Sequence, residues 1–143
     1  MARVKIDLPR SFPFSTELAV RITDINYGAH LGNDTMLTLL HEARVQFFAH
    51  YGLKELDSDG MGIAVADTAV VYKTEVFYGD VLRIEVAVAD IRGVGCDLVY
   101  RVTKVASGEP AAEAKAGIVF YDYKKRKIRE VPPEFLSLFG AGK

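Results

Sequence analysis

The sequence predicts an α+β fold in which a curved antiparallel sheet wraps around one long central helix. Only one long segment, beginning at Asn33, repeats its apolar residues at helical spacing. The chain after Gly60 reads as strands parted by short turns, with no second long helix among them. Runs of strands with one segregated helix give an antiparallel sheet, and such a sheet must bury one face.

The first element is the strand Ser15 to Ile22, where polar and apolar residues alternate. Thr23 to Gly32 follows as an irregular stretch, with Asn26, Gly28 and Gly32 as turn formers. From Asn33 the period changes. Leu37, Leu40, His41, Arg44, Phe47, Phe48 and Tyr51 recur three and four apart and predict one mostly apolar helix face. Asn33 or Asp34 can cap its start by accepting from free N–H groups. Gly52 can end it in the left-handed conformation that costs glycine little. Met61 to Phe77 is the next strand region, and Tyr78-Gly79-Asp80 a turn. Val81 to Ile91 alternates, Arg92 to Gly95 turns, and Leu98 to Val105 is a strand. Ser107 to Pro110 turns into a last long strand, Ala111 to Tyr123, with Ala112, Ala114, Ala116 and Ile118 on one side. The run Lys124-Lys125-Arg126-Lys127 reads as a solvated basic tail or as a contact for phosphates.

The 143 residues fit one domain, with a folded core from about 15 to 139. Half the residues are hydrophobic, 26% are charged and the net charge is −1, which gives no basic face for nucleic acid. Neither a secretory signal nor a stretch long and apolar enough for a membrane span is apparent, so a cytoplasmic protein is expected. Cys96 stands alone and reads as a small strand filler, not a nucleophile. His30, His41 and His50 form no ligand spacing with carboxylates or Cys96, so no metal or other cofactor is implied. His41 reads as a core or interface histidine. Gly93-x-Gly95 opens no helix and is not a phosphate loop.

Residues 20 to 44 (Val-Arg-Ile-Thr-Asp-Ile-Asn-Tyr-Gly-Ala-His-Leu-Gly-Asn-Asp-Thr-Met-Leu-Thr-Leu-Leu-His-Glu-Ala-Arg) resemble the first strand, loop and central helix of hotdog-fold acyl-CoA thioesterases of the hydroxybenzoyl-CoA thioesterase-like type. Tyr72 to Leu82 resembles the strand-turn-strand that follows, and the resemblance runs over roughly residues 17 to 125. It implies hydrolysis of an acyl-CoA to free acid and CoA, in a homodimer or homotetramer whose sites form between subunits. The exposed edges of such a sheet also call for cover or pairing.

By the same resemblance, the backbone N–H of Asn33 is the oxyanion donor, at a helix start whose N–H groups and dipole favour negative charge. Asn26, His30, Asp34 and Glu42 are the catalytic candidates. Asn26 stands where the family carries an aspartate, and an amide can position water but not deprotonate it. His30 has the intrinsic basicity for that work, or fixes the turn. Asp34 acts as a base or caps the helix; Glu42 acts as a base or pairs with Arg44. Asp24, Asp67, Phe77 and Tyr78 are the substrate-binding candidates, Asp67 lying at a sheet edge or facing the site. Two other readings stay open: a hydratase or dehydratase on the same fold, and a non-catalytic binder of acyl-thioesters.

Overall fold

The computed structural model describes residues 3–140. Its elements are β1 (Phe14–Ala19), a 3-10 turn (Ile22–Asp24), α1 (Asn33–His50), β2 (Met61–Tyr72), β3 (Val81–Ala89), β4 (Gly95–Lys104), β5 (Pro110–Asp122), β6 (Lys127–Arg129) and α2 (Pro133–Phe139). The sheet is antiparallel in the order β1-β3-β4-β5-β2, with β6 paired to β5. The α+β class and the curved sheet around one long helix are those the sequence predicts.

Alternation sets which side of the sheet meets the helix. Leu82, Ile84 and Val86 of β3, Leu98, Tyr100 and Val102 of β4, and Ala112, Ala114, Ala116 and Ile118 of β5 are buried in one cluster with α1. The opposite sheet face carries ion pairs such as Arg101–Glu85 and Arg83–Glu17. The Arg101 guanidinium also sits over the Phe12 ring, 4.7 Å from its centre.

The buried face of α1 differs in part from the one read from spacing. Leu40, Phe47 and Phe48 are buried as expected, but they share the core with Met36, Leu39 and Ala43. Leu37 and His41 instead face outward, because the sheet covers one side of the rod and leaves its flank open towards β2. The capping expectation is corrected as well. The N-cap is Gly32, with φ −66° and ψ 144°, and no side chain caps the helix. Asn33 and Asp34 already occupy the first helical positions, so neither has the extended backbone from which a cap reaches back. At the far end Gly52 takes φ +75°, and the N–H of Leu53 returns to the Phe48 carbonyl at 2.7 Å.

The basic run is not a free tail. Asp122 accepts from the N–H groups of Lys124 and Lys125, at 3.0 Å each, and turns the chain into β6. Neither β6 nor α2 was legible from the sequence. Phe135 of α2 then stacks edge-on against Phe120 and closes the sheet end beneath α1. No helix is long and apolar enough to cross a membrane among the described residues.

One connection matters most for the site. Strand β2 pairs with β5 at one sheet edge, and β5 and β4 both lie between it and β3. The chain must therefore cross the sheet between Tyr72 and Val81. It crosses over the start of α1, where the N–H of Leu31 bonds to the Val76 carbonyl at 2.7 Å.

Candidate active site

The loop before α1 is held by its own short polar residues. The Asn26 side-chain oxygen accepts from the N–H of Gly28 at 2.8 Å. The Asn26 N–H bonds to the His30 carbonyl at 2.9 Å, and Ala29 between them takes φ +64°. Asp24 is buried, and its Oδ2 accepts from the Arg21 N–H at 2.8 Å, closing the 3-10 turn. Its carboxylate thus serves the turn and the Arg21 guanidinium.

The helix start itself is open. The first closing bond of α1 runs from the Met36 N–H to the Gly32 carbonyl, at 3.0 Å. The N–H groups of Asn33, Asp34 and Thr35 therefore have no acceptor within the helix. Asn33, which carries the first of these N–H groups, lines a cavity of about 290 Å³ together with His30, Gly32, Met36, Tyr72 and Glu75. Gly32 makes this approach possible: a Cβ there would stand 2.6 Å from Asp34 Oδ1 and 3.7 Å from Asn26 Cβ.

His30 lies in that cavity with a defined proton arrangement. Its Nδ1 is 3.0 Å from the Leu31 carbonyl, which can only accept. Nδ1 therefore carries the proton of the neutral ring, and Nε2 presents its lone pair. Nε2 is 3.7 Å from Glu75 Oε2, so a protonated ring would find a carboxylate beside it. Tyr72 donates to the Asn33 carbonyl at 2.7 Å and ties the end of β2 to the helix start. Burial raises the Tyr72 phenol above its ordinary value and the charge of Asp34 adds to this, so it stays a donor at neutral pH.

Among the predicted residues, Asn26, His30, Asn33 and Asp34 come together around Gly32. Glu42 does not join them within one chain. It faces the other flank of α1, beside Leu18 and Arg21, and accepts from Gln46 at 2.7 Å. Asp67 lies on the edge strand at a β-bulge, where it accepts from the Gly117 N–H at 3.1 Å and neighbours Lys115. Phe77 and Tyr78 are exposed on the crossing loop beyond the cavity, and Lys104 sits over the Phe77 ring. Arg44 pairs with Glu55, not with Glu42. Tyr72 and Glu75 were missed. No motif marks them, because only the crossing connection brings them to the helix start.

Cys96 is fully buried on β4, and burial, with help from Asp97, pushes its thiol up to about 12. It is no nucleophile at neutral pH. Among the described residues, no three histidine, cysteine or carboxylate side chains gather to hold a metal ion.

Comparison with known proteins adds the following. The family model of the thioesterase-like superfamily matches residues 20–139. No curated protein matches the chain. A 1,4-dihydroxy-2-naphthoyl-CoA thioesterase from Synechocystis superposes with a TM-score of 0.82 at 15% identity, over 90% of this chain and 96% of that one. A hypothetical protein from Aquifex aeolicus gives 0.81 at 19%, over 89% and 99%. A gentisyl-coenzyme A thioesterase gives 0.78 at 15%, over 85% and 98%. At such identities the likeness establishes a hotdog fold.

Proposed function

The chain belongs to the thioesterase-like superfamily, and from that premise we propose that it hydrolyses an acyl-CoA to the free acid and CoA. One observation carries the reading: the uncapped start of α1 opens on a cavity that also holds the basic nitrogen of His30. In this mechanism the acyl carbonyl oxygen rests on the N–H groups at Asn33 and Asp34, where the helix dipole favours the charge that develops. His30 Nε2 takes a proton from water, and the hydroxide attacks the carbonyl carbon. Glu75 steadies the imidazolium, and the amide of Asn26 orients the water. Collapse of the tetrahedral intermediate breaks the C–S bond, and the thiolate of CoA takes the proton back from His30. Asp34, at the same helix start, is the second candidate for handling water.

Glu42, Asp67, Phe77 and Tyr78 enter this reading through a second copy of the chain. Strand β2 is an edge strand covered on its outer side only at its start, by the Leu56–Gly62 bridge, and Val65 and Tyr72 are exposed farther along it. Such an edge favours pairing. A homodimer or homotetramer follows, in which Glu42 of one copy could meet the helix start of another.

The test is thiol release from a panel of acyl-CoAs. Turnover is expected on at least one member, and His30→Gln should lower kcat by about 10²–10⁴-fold with a smaller change in KM. Hydration of an enoyl-CoA without thiol release would favour the hydratase reading. Tight acyl-CoA binding without turnover would favour the non-catalytic binder.

A further inference from the structure

A second polar pocket lies farther along the same flank of α1. Asn33, Leu37, Leu40 and Arg44 are spaced four, three and four apart, so they form one stripe of the helix. Strand β2 runs beside this stripe. Tyr72 meets Asn33 at its start, and Val65 and Thr68 meet Leu37 to Arg44 farther on. The bulge between Val65 and Asp67 inserts one residue, which brings Val65 and Thr68 to the same side although they are three apart. The open cavity of about 300 Å³ here is walled by Leu37, Leu40, Val65 and Ala116. Its helix lining begins at Leu37, the residue after Met36, where the helix lining of the first cavity ends.

The floor of this second pocket is polar. Tyr100 on β4 is only 1% exposed; its hydroxyl closes no hydrogen bond of good geometry among the described residues, and the Arg44 guanidinium is the polar group near enough to act on it. A buried hydroxyl without a partner is costly, and native structures rarely keep one without a use. Arg44 lies beside it, its side chain 11% exposed. The Arg44 Nε is taken by Glu55, which also neighbours His41 Nε2 at 3.2 Å. Burial raises the Tyr100 phenol above its ordinary value and outweighs the opposing effect of Arg44, so the hydroxyl keeps its proton. The pocket thus offers donors. Because Glu55 already neutralises Arg44, a carboxylate entering here would meet a second anion, whereas a neutral oxygen would meet only unfilled donors.

We propose that Tyr100, Arg44 and Thr68 form a subsite for a neutral oxygen, a hydroxyl or a carbonyl, carried at the far end of the acyl group. This rests on the thioesterase reading for the near end, where the thioester carbonyl sits at Asn33. The helix lining of the second pocket runs from Leu37 to Arg44, which lies about 6–17 Å along the axis from Asn33 and brackets the length of the acyl group between its two oxygens. Leu37, Leu40, Val65 and Ala116 would cover its apolar middle. The subsite selects an acyl group with a far-end oxygen over a plain hydrocarbon of equal length, because the hydrocarbon leaves the Tyr100 hydroxyl orphaned.

The experiment compares octanoyl-CoA, ω-hydroxyoctanoyl-CoA and the mono-CoA ester of suberic acid as substrates. Their non-hydrolysable thioether analogues serve as ligands in thermal shift. The wild type should favour the ω-hydroxy substrate over octanoyl-CoA by about tenfold or more in kcat/KM, and the ω-hydroxy analogue should raise Tm the most. Tyr100→Phe should bring both preferences towards one, and Thr68→Val should weaken them if Tyr100→Phe does not fold. Equal kcat/KM for the plain and ω-hydroxy substrates, or a preference that survives both substitutions, overturns the subsite while leaving the thioesterase reading intact. Preference for the suberyl ester overturns the assignment to a neutral oxygen. Ranking of the analogues as stated, without turnover of any thioester, keeps the subsite and rejects the hydrolase.

Discussion

Asp24 illustrates how a residue's place in a motif and its work in the fold can part company. It opens the stretch that resembles the family motif, yet its carboxylate accepts from the Arg21 N–H inside its own turn. Asp24→Ala leaves that N–H without its acceptor and should cost about 1–2 kcal/mol of stability, read as a lower denaturation midpoint in urea. The Arg21 guanidinium is mostly exposed, so its ion pair adds little to this. A midpoint equal to wild type would mean that the turn does not depend on the carboxylate. Asp34 and Glu42 divide differently. Asp34 borders the helix start through Gly32, whereas Glu42 faces Arg21 on another flank. If sites form within one chain, Asp34→Asn should reduce turnover and Glu42→Gln should not; loss in Glu42→Gln with folding intact would indicate a site shared between copies. The loop that holds Asn26 and His30 was legible because short polar residues and glycines mark a turn before a change of period, while their candidate roles came from the resemblance alone. Tyr72, Glu75 and Tyr100 were not, because each reaches its site through strand pairing and carries no local signature.

Among the elements, the long helix and the main strands were legible from period alone, since an 18-residue helix and strands of nine to thirteen residues repeat their pattern often enough to be read. Strand β6 has three residues and α2 has seven, too few for a period to emerge, and the basic run hid the turn between β5 and β6. Glycines within the strands separate tight packing from mere flexibility. A Cβ on Gly95 would stand 2.0 Å from the Ile118 carbonyl oxygen, a backbone atom of the neighbouring strand that cannot move aside alone. Gly95→Ala should therefore cost about 1–3 kcal/mol or more. At Gly32 the nearest obstacle is the Asp34 side chain, which can rotate away. Gly32→Ala should cost clearly less in a urea titration. The reverse order would mean that β4 and β5 separate more easily than their register implies.

At the scale of the whole molecule, the sheet and helix bury groups that would ionise in the unfolded chain, and this makes stability depend on alkaline pH. The class of fold was legible because it follows from the order of elements. The depth at which β4 buries Cys96 and Tyr100 was not, since it depends on how the sheet curves over α1. The Cys96 thiol has an ordinary value of 9.0 and is pushed up to about 12 by burial. Between these values the unfolded chain releases the proton while the folded chain keeps it, so the folded state binds more protons. Stability is then undiminished below about pH 9 and falls as pH rises, by up to about 1.4 kcal/mol per pH unit from this one group. Tyr100 adds to the slope in the same direction above its ordinary value of 10.0, because burial raises it too. Urea midpoints measured at half-unit steps from pH 8 to 11 should fall from about pH 9 in the wild type. In Cys96→Ala the fall should begin about one unit later, where the tyrosine takes over. An unchanged onset in that variant would mean that the buried thiol does not govern the alkaline limit of the fold.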